Sequence, residues 1–144
     1  MVSQYFEVDG RTLWNPSNGA ARLFLRQVSV FEAELELPSG IGPMESDESR
    51  IDPVTFQMFV AALLAQHRRT SHGVMNALSE GFVATMLVLA ERADLEIDWE
   101  TDDRAMDDDR SDVQVPSVFA PVGDEAWAAA LRDRSRELGR FMAC

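Results

Sequence analysis

Residues 96–112 carry nine acidic side chains and two arginines, a net charge of −7 within seventeen residues. The full chain is −12, so the other 127 residues together hold only −5. No packed core accommodates that many carboxylates, because each unpaired buried charge costs several kcal/mol. They must lie in water, against a cation or against a basic partner. The core has to be assembled from the rest of the chain, with this stretch outside it.

That remainder is sufficient. With 144 residues and 46% apolar content, the chain is expected to form one domain over 1–144 with a sizeable core and a mobile acidic loop at 100–112. The longest apolar run, residues 82–90 with one threonine inside it, has nine residues, whereas a bilayer span needs about 20. No basic flank followed by an apolar core opens the chain, so no export signal is expected. Cys144 is the only cysteine. An internal disulfide is therefore excluded, and a reducing cytoplasm is the expected compartment.

All thirteen cations are arginine and lysine is absent, the usage expected from a GC-rich genome. Lysine nucleophiles, Schiff bases and P-loop lysines are thereby excluded. The acidic balance disfavours nucleic acid, whose affinity comes from phosphate neutralisation, and anionic membranes for the same reason.

Asp9-Gly10 separates two β-prone runs, Tyr5-Phe6-Glu7-Val8 and Arg11-Thr12-Leu13-Trp14. This is the signal of a two-residue hairpin, with Phe6 opposite Leu13 and Tyr5 opposite Trp14. Asn15-Pro16-Ser17-Asn18 predicts a helix start, after which Ala21, Phe24, Leu25, Val28, Phe31 and Leu35 recur at helical spacing. Residues 38–50 read as a loop. Asp52-Pro53 opens a second helix with Phe56, Phe59, Val60, Leu63 and His67 on one face, and Arg68 and Arg69 at its negative end. After a short break, Val74, Met75, Leu78, Phe82, Met86 and Leu89 mark a third helix, expected to be the most buried element. The short break implies an antiparallel helical hairpin.

Leu95, Ile97 and Trp99 then alternate with acidic residues, and Val113 and Val115 repeat the pattern beyond the acidic loop, which predicts two short strands. A last helix from Asp124 buries Trp127, Leu131, Leu138 and Met142. The expected fold class is helix-dominant α+β.

The acidic loop fails as an EF-hand. Counting from Asp98, Asp103 stands where the glycine is needed and Asp109 where the glutamate is needed. Cation binding without that motif stays an open alternative, and no metal or cofactor is expected. His67 and His72 flank the turn between the second and third helices beside Arg68, Arg69 and Ser71, but no positioned nucleophile with an orienting third group accompanies them. A core-edge His67 and a solvated His72 are the expected roles.

Arg132, Arg136 and Arg140 form a ridge at i, i+4 spacing that wants an acidic neighbour, and the acidic loop is the nearest in sequence. Trp14, Trp99 and Trp127 are expected to pack around the sheet and last helix, and Met58, Met75 and Met86 to fill gaps. Ser39-Gly40-Ile41-Gly42-Pro43 lacks the helix and basic residue of a phosphate loop.

At Ser3-Gln4-Tyr5-Phe6, Leu13-Trp14-Asn15-Pro16-Ser17, Ala21-Arg22-Leu23-Phe24 and Ile51-Asp52-Pro53 the chain resembles a family of small uncharacterised actinobacterial proteins. Gly81-Phe82-Val83-Ala84-Thr85 extends the resemblance, which covers about residues 3–92. It implies a cytoplasmic actinobacterial origin and carries over no functional residue.

The expected function is therefore a non-enzymatic protein-binding module that presents acidic side chains to a basic partner, of which a toxin-neutralising immunity protein is the best-defined version. The contact residues are Asp98, Trp99, Glu100, Asp102, Asp103, Asp107, Asp108, Asp109 and Asp112, with Trp99 as aromatic anchor. The alternative is a chaperone-like or structural helical protein that dimerises or holds an amphipathic client.

Overall fold

The computed structural model describes residues 4–70, 72–97, 99 and 124–144. Strands β1 (Tyr5–Val8) and β2 (Arg11–Trp14) form the expected hairpin. Asp9 and Gly10 turn with φ of 50° and 79°, the positive values that the tight turn demands. The register departs from a plain hairpin after two pairs. Val8 faces Arg11 and Glu7 faces Thr12, but Phe6 then faces Trp14, leaving Leu13 as the extra residue of a bulge. The slip turns Trp14 inward, where it stacks on Phe6 at 5.5 Å and 19°. Leu13 and Trp14 are thus both buried although adjacent in sequence.

A third strand, β3 (Glu48–Arg50), pairs parallel to β1 and gives the sheet order β2-β1-β3. It lies in the stretch expected to be loop. Glu-Ser-Arg has no strand pattern, and backbone pairing with β1 supplies what the side chains do not. Ser49, fully buried at its centre, donates its hydroxyl proton to the Gly42 carbonyl at 2.7 Å.

Helix α1 (Asn18–Leu35) is capped by Ser17, whose hydroxyl accepts from the Ala20 amide at 3.3 Å. It buries Ala21, Phe24 and Val28. Helix α2 (Pro53–Arg69) is capped by Asp52, with proline in its first turn as the sequence indicates. Phe56, Phe59, Val60, Leu63 and His67 are all buried on its inner face, joined by Leu64.

Helix α3 (Gly73–Arg92) follows closely and packs on α2. Its burial runs from Phe82 to Ala90, including Val83, Ala84 and Met86. Length and a mean hydropathy of 1.5 would let α3 cross a bilayer, but that apolar stretch sits inside the core beside α2 and α4. The first two turns behave differently. Val74, Met75 and Leu78, expected on the packed face, are 61, 47 and 74% exposed, because burial on this helix begins only at Phe82. Met58 and Met75 are likewise exposed, and of the three helix methionines only Met86 fills the interior.

Residues 95–97 form no strand. Leu95 and Ile97 instead pack along the core edge, and the Gln57 side-chain amide donates to the Glu96 carbonyl at 2.8 Å. Their alternation reflects one face against the core rather than a ladder. The matching piece, Val113 and Val115, lies outside the described residues.

Helix α4 (Asp124–Gly139) packs mainly on α3. Arg92 ties the two together: its guanidinium donates to the carbonyls of Leu13, Gly139 and Met142 at 2.8, 3.0 and 2.8 Å. One arginine thereby joins the hairpin, α3 and the turn after α4. The architecture is helix-dominant α+β, with four helices and a small sheet among the described residues.

Candidate functional site

Trp99 is the last described residue within the acidic stretch 96–112, and α4 is where the chain is next described. Its half-buried indole meets Trp127 edge-on at 5.6 Å and 72°. The Arg132 guanidinium lies 4.7 Å above the Trp99 ring, a cation–π contact. Both partners come from α4, five residues apart, with Trp127 buried and Arg132 exposed. The acidic segment therefore leaves from a base held by α4.

Of the anticipated contact residues, only Trp99 falls among those described. Asp98, Glu100, Asp102, Asp103, Asp107, Asp108, Asp109 and Asp112 lie outside them.

The arginine ridge divides its roles. Arg132 serves the Trp99 ring. Arg136 sits 3.5 Å from Asp133 and Arg134 3.9 Å from Glu137, both i, i+3 pairs on exposed helix surface. Such pairs are worth little in stability, so α4 settles part of its own charge locally. Arg140 is exposed.

Behind Trp127 lies His67. The indole Nε1–H donates to His67 Nδ1 at 2.9 Å, in a buried contact that joins α4 to the end of α2. Because Nδ1 accepts, the ring proton of the neutral imidazole sits on Nε2. That atom is buried and has no hydrogen-bond partner. Burial pushes the His67 pKa below its ordinary 6.5, against smaller opposing effects of the Glu80 carboxylate and the Asn76 backbone carbonyl. The Asn76 carbonyl favours a proton on the ring from nearby without reaching hydrogen-bond geometry on Nε2.

His72 has a separate task. It caps α3, its Nδ1 accepting from the Met75 amide at 3.3 Å. The two histidines do not work as a pair: one is buried against an indole, the other ends a helix. Among the described residues no group of three or more His, Cys, Asp or Glu side chains could hold a metal. The sequence places His67 on the buried face of α2, but nothing local announces a partner sixty positions away. The orphaned Nε2–H and the exposed start of α3 likewise have no sequence signature.

No curated protein and no solved structure matches the chain. The sequence profile of a family of unknown function, DUF6086, matches residues 2–144. It reaches well past the 3–92 stretch of the resemblance and takes in the acidic segment. The chain belongs to that family.

Proposed function

We propose that this protein is a non-enzymatic binding module whose acidic segment engages a basic partner protein. The concentration of −7 within residues 96–112 carries the reading. Nine carboxylates repel one another in the free chain, and a cationic partner relieves that repulsion. The Trp99 base on α4 supports it, because a segment held at a fixed root spends less entropy on docking than a free tail. A toxin-neutralising immunity protein in the cytoplasm is the best-defined version. Complementary charge of this kind speeds association and sets register.

The test is affinity capture from native lysate at low salt with two chains: the wild type, and one with Asp102, Asp103, Asp107, Asp108 and Asp109 all replaced by asparagine. A partner of basic isoelectric point retained by the first and lost by the second is the expected result. Equal retention by both would remove the acidic segment from the interaction.

A second reading has its own observation. Val74, Met75 and Leu78 give α3 an exposed apolar start, which suits a homodimer or an amphipathic client. Sedimentation distinguishes it: a strict monomer across micromolar to millimolar concentration counts against dimerisation.

A further inference from the structure

A groove of about 190 Å³ opens where α1, α2 and α3 meet. Val30 and Phe31 of α1, Leu63 and His67 of α2, and Met75 and Leu78 of α3 line it. The volume is comparable to cavities that hold one substituted benzene ring. Glu34, Gln66, Thr70 and Ser79 add polar groups to this apolar wall, but the buried unsatisfied one belongs to His67, 9% exposed, whose Nε2 has no hydrogen-bond partner. The ring is fixed by its other nitrogen, because Trp127 holds Nδ1 from the far side. Nε2 therefore faces away from the indole.

A buried donor without an acceptor is an uncompensated cost of folding. A ligand that supplies an acceptor removes it, and the shielding that makes the orphan costly makes the new bond strong.

We propose that this groove binds a neutral, largely apolar small molecule bearing one hydrogen-bond acceptor, an aryl ketone being the simplest case, with that acceptor receiving the His67 Nε2–H. The charge state follows from the lining. Glu34 stands at the groove and the chain is strongly acidic, which repels anions. A cation gains nothing from the buried donor, and Glu34, the carboxylate in the lining, is solvent-exposed and screened. Met75, unbranched, 47% exposed and part of the same lining, gives the wall a side chain able to adapt to a ligand. This site is separate from the acidic segment and stands whether or not that segment binds a protein.

Two probes of matched shape isolate the claim: acetophenone, and α-methylstyrene, in which a CH₂ replaces the carbonyl oxygen. Each is titrated into the full chain, labelled with ¹⁵N and with ¹³C at its methyl groups. Acetophenone is expected to bind about five- to tenfold more tightly, as one buried hydrogen bond allows. It should shift the Val30, Leu63 and Met75 methyl signals together with the His67 Nε2 resonance. H67N keeps an amide oxygen for Trp127 and holds its NH2 closer to the backbone than Nε2 was, so the preference for the ketone should shrink toward unity. L78E, at a well-exposed position, should weaken both.

The wild-type comparison stands even where H67N fails to fold. Equal affinities for the wild type, an unmoved His67 Nε2 signal, perturbations elsewhere on the chain, or no saturable binding up to the solubility limit of the ketone would each overturn the proposal.

Discussion

The Trp127–His67 contact makes an asymmetric prediction. Trp127→Phe removes the indole N–H, leaving Nδ1 buried without a partner beside an Nε2 that already lacks one. One lost hydrogen bond costs about 1 kcal/mol and an orphaned buried group about 1–3 kcal/mol. Trimming an indole that is 8% exposed adds a packing loss of about 1 kcal/mol. A destabilisation of about 3–5 kcal/mol is expected. His67→Leu should cost less. It orphans the indole N–H but eliminates the orphaned Nε2–H, so one unpaired donor replaces another. The double variant leaves neither group unpaired and should lose about 1–3 kcal/mol less than the sum of the single losses. Urea denaturation of all four proteins measures this, with midpoints compared at a common slope. Additivity within about 0.5 kcal/mol, or His67→Leu proving the worse of the two, would refute the bond and the tautomer together.

Other consequences follow from the same geometry. The folded chain resists protonation of His67 while the unfolded chain accepts a proton below its ordinary 6.5, so stability should be complete above about pH 6.5 and fall as pH drops toward the folded value. Denaturation midpoints between about pH 7.5 and 5.5 should show this slope in the wild type and lose it in His67→Asn. Gly40→Ala should cost more than about 2 kcal/mol in thermal unfolding, because φ is +78° and the new Cβ would lie 2.8 Å from both the Asp52 carbonyl oxygen and the Phe56 amide nitrogen. Arg92→Met strands three carbonyls and should cost about 2–4 kcal/mol. Hydrogen exchange should then rise at both the hairpin and the end of α4.

Local chemistry explains which parts of this fold could be read from the sequence. Asp9-Gly10 announces its hairpin because few other pairs tolerate two positive φ angles. Ser17 and Asp52-Pro53 announce α1 and α2 because helix starts need acceptors for free amides. The register of the hairpin was not legible, since the bulge at Leu13 is set by the room Trp14 finds beside Phe6 and Phe24. Strand β3 was invisible because Glu-Ser-Arg carries no alternation and pairs through backbone alone. Periodicity placed Val74, Met75 and Leu78 on one side of α3, but it cannot say where the neighbouring helix stops. The charge of the acidic segment was plain in the sequence. The packing of its root, with Trp99 against Trp127 and Arg132, depends on contacts 28 and 33 residues away.

Binding through the acidic segment is tested most directly by how the dissociation constant of the captured complex varies with ionic strength. Raising salt from about 0.05 to 0.5 M shortens the Debye length from roughly 14 to 4 Å. The wild-type complex should weaken by more than about tenfold over that range. The variant with asparagine at 102, 103, 107, 108 and 109 should start weak and change little. A wild-type affinity that stays flat across the same range would contradict the account.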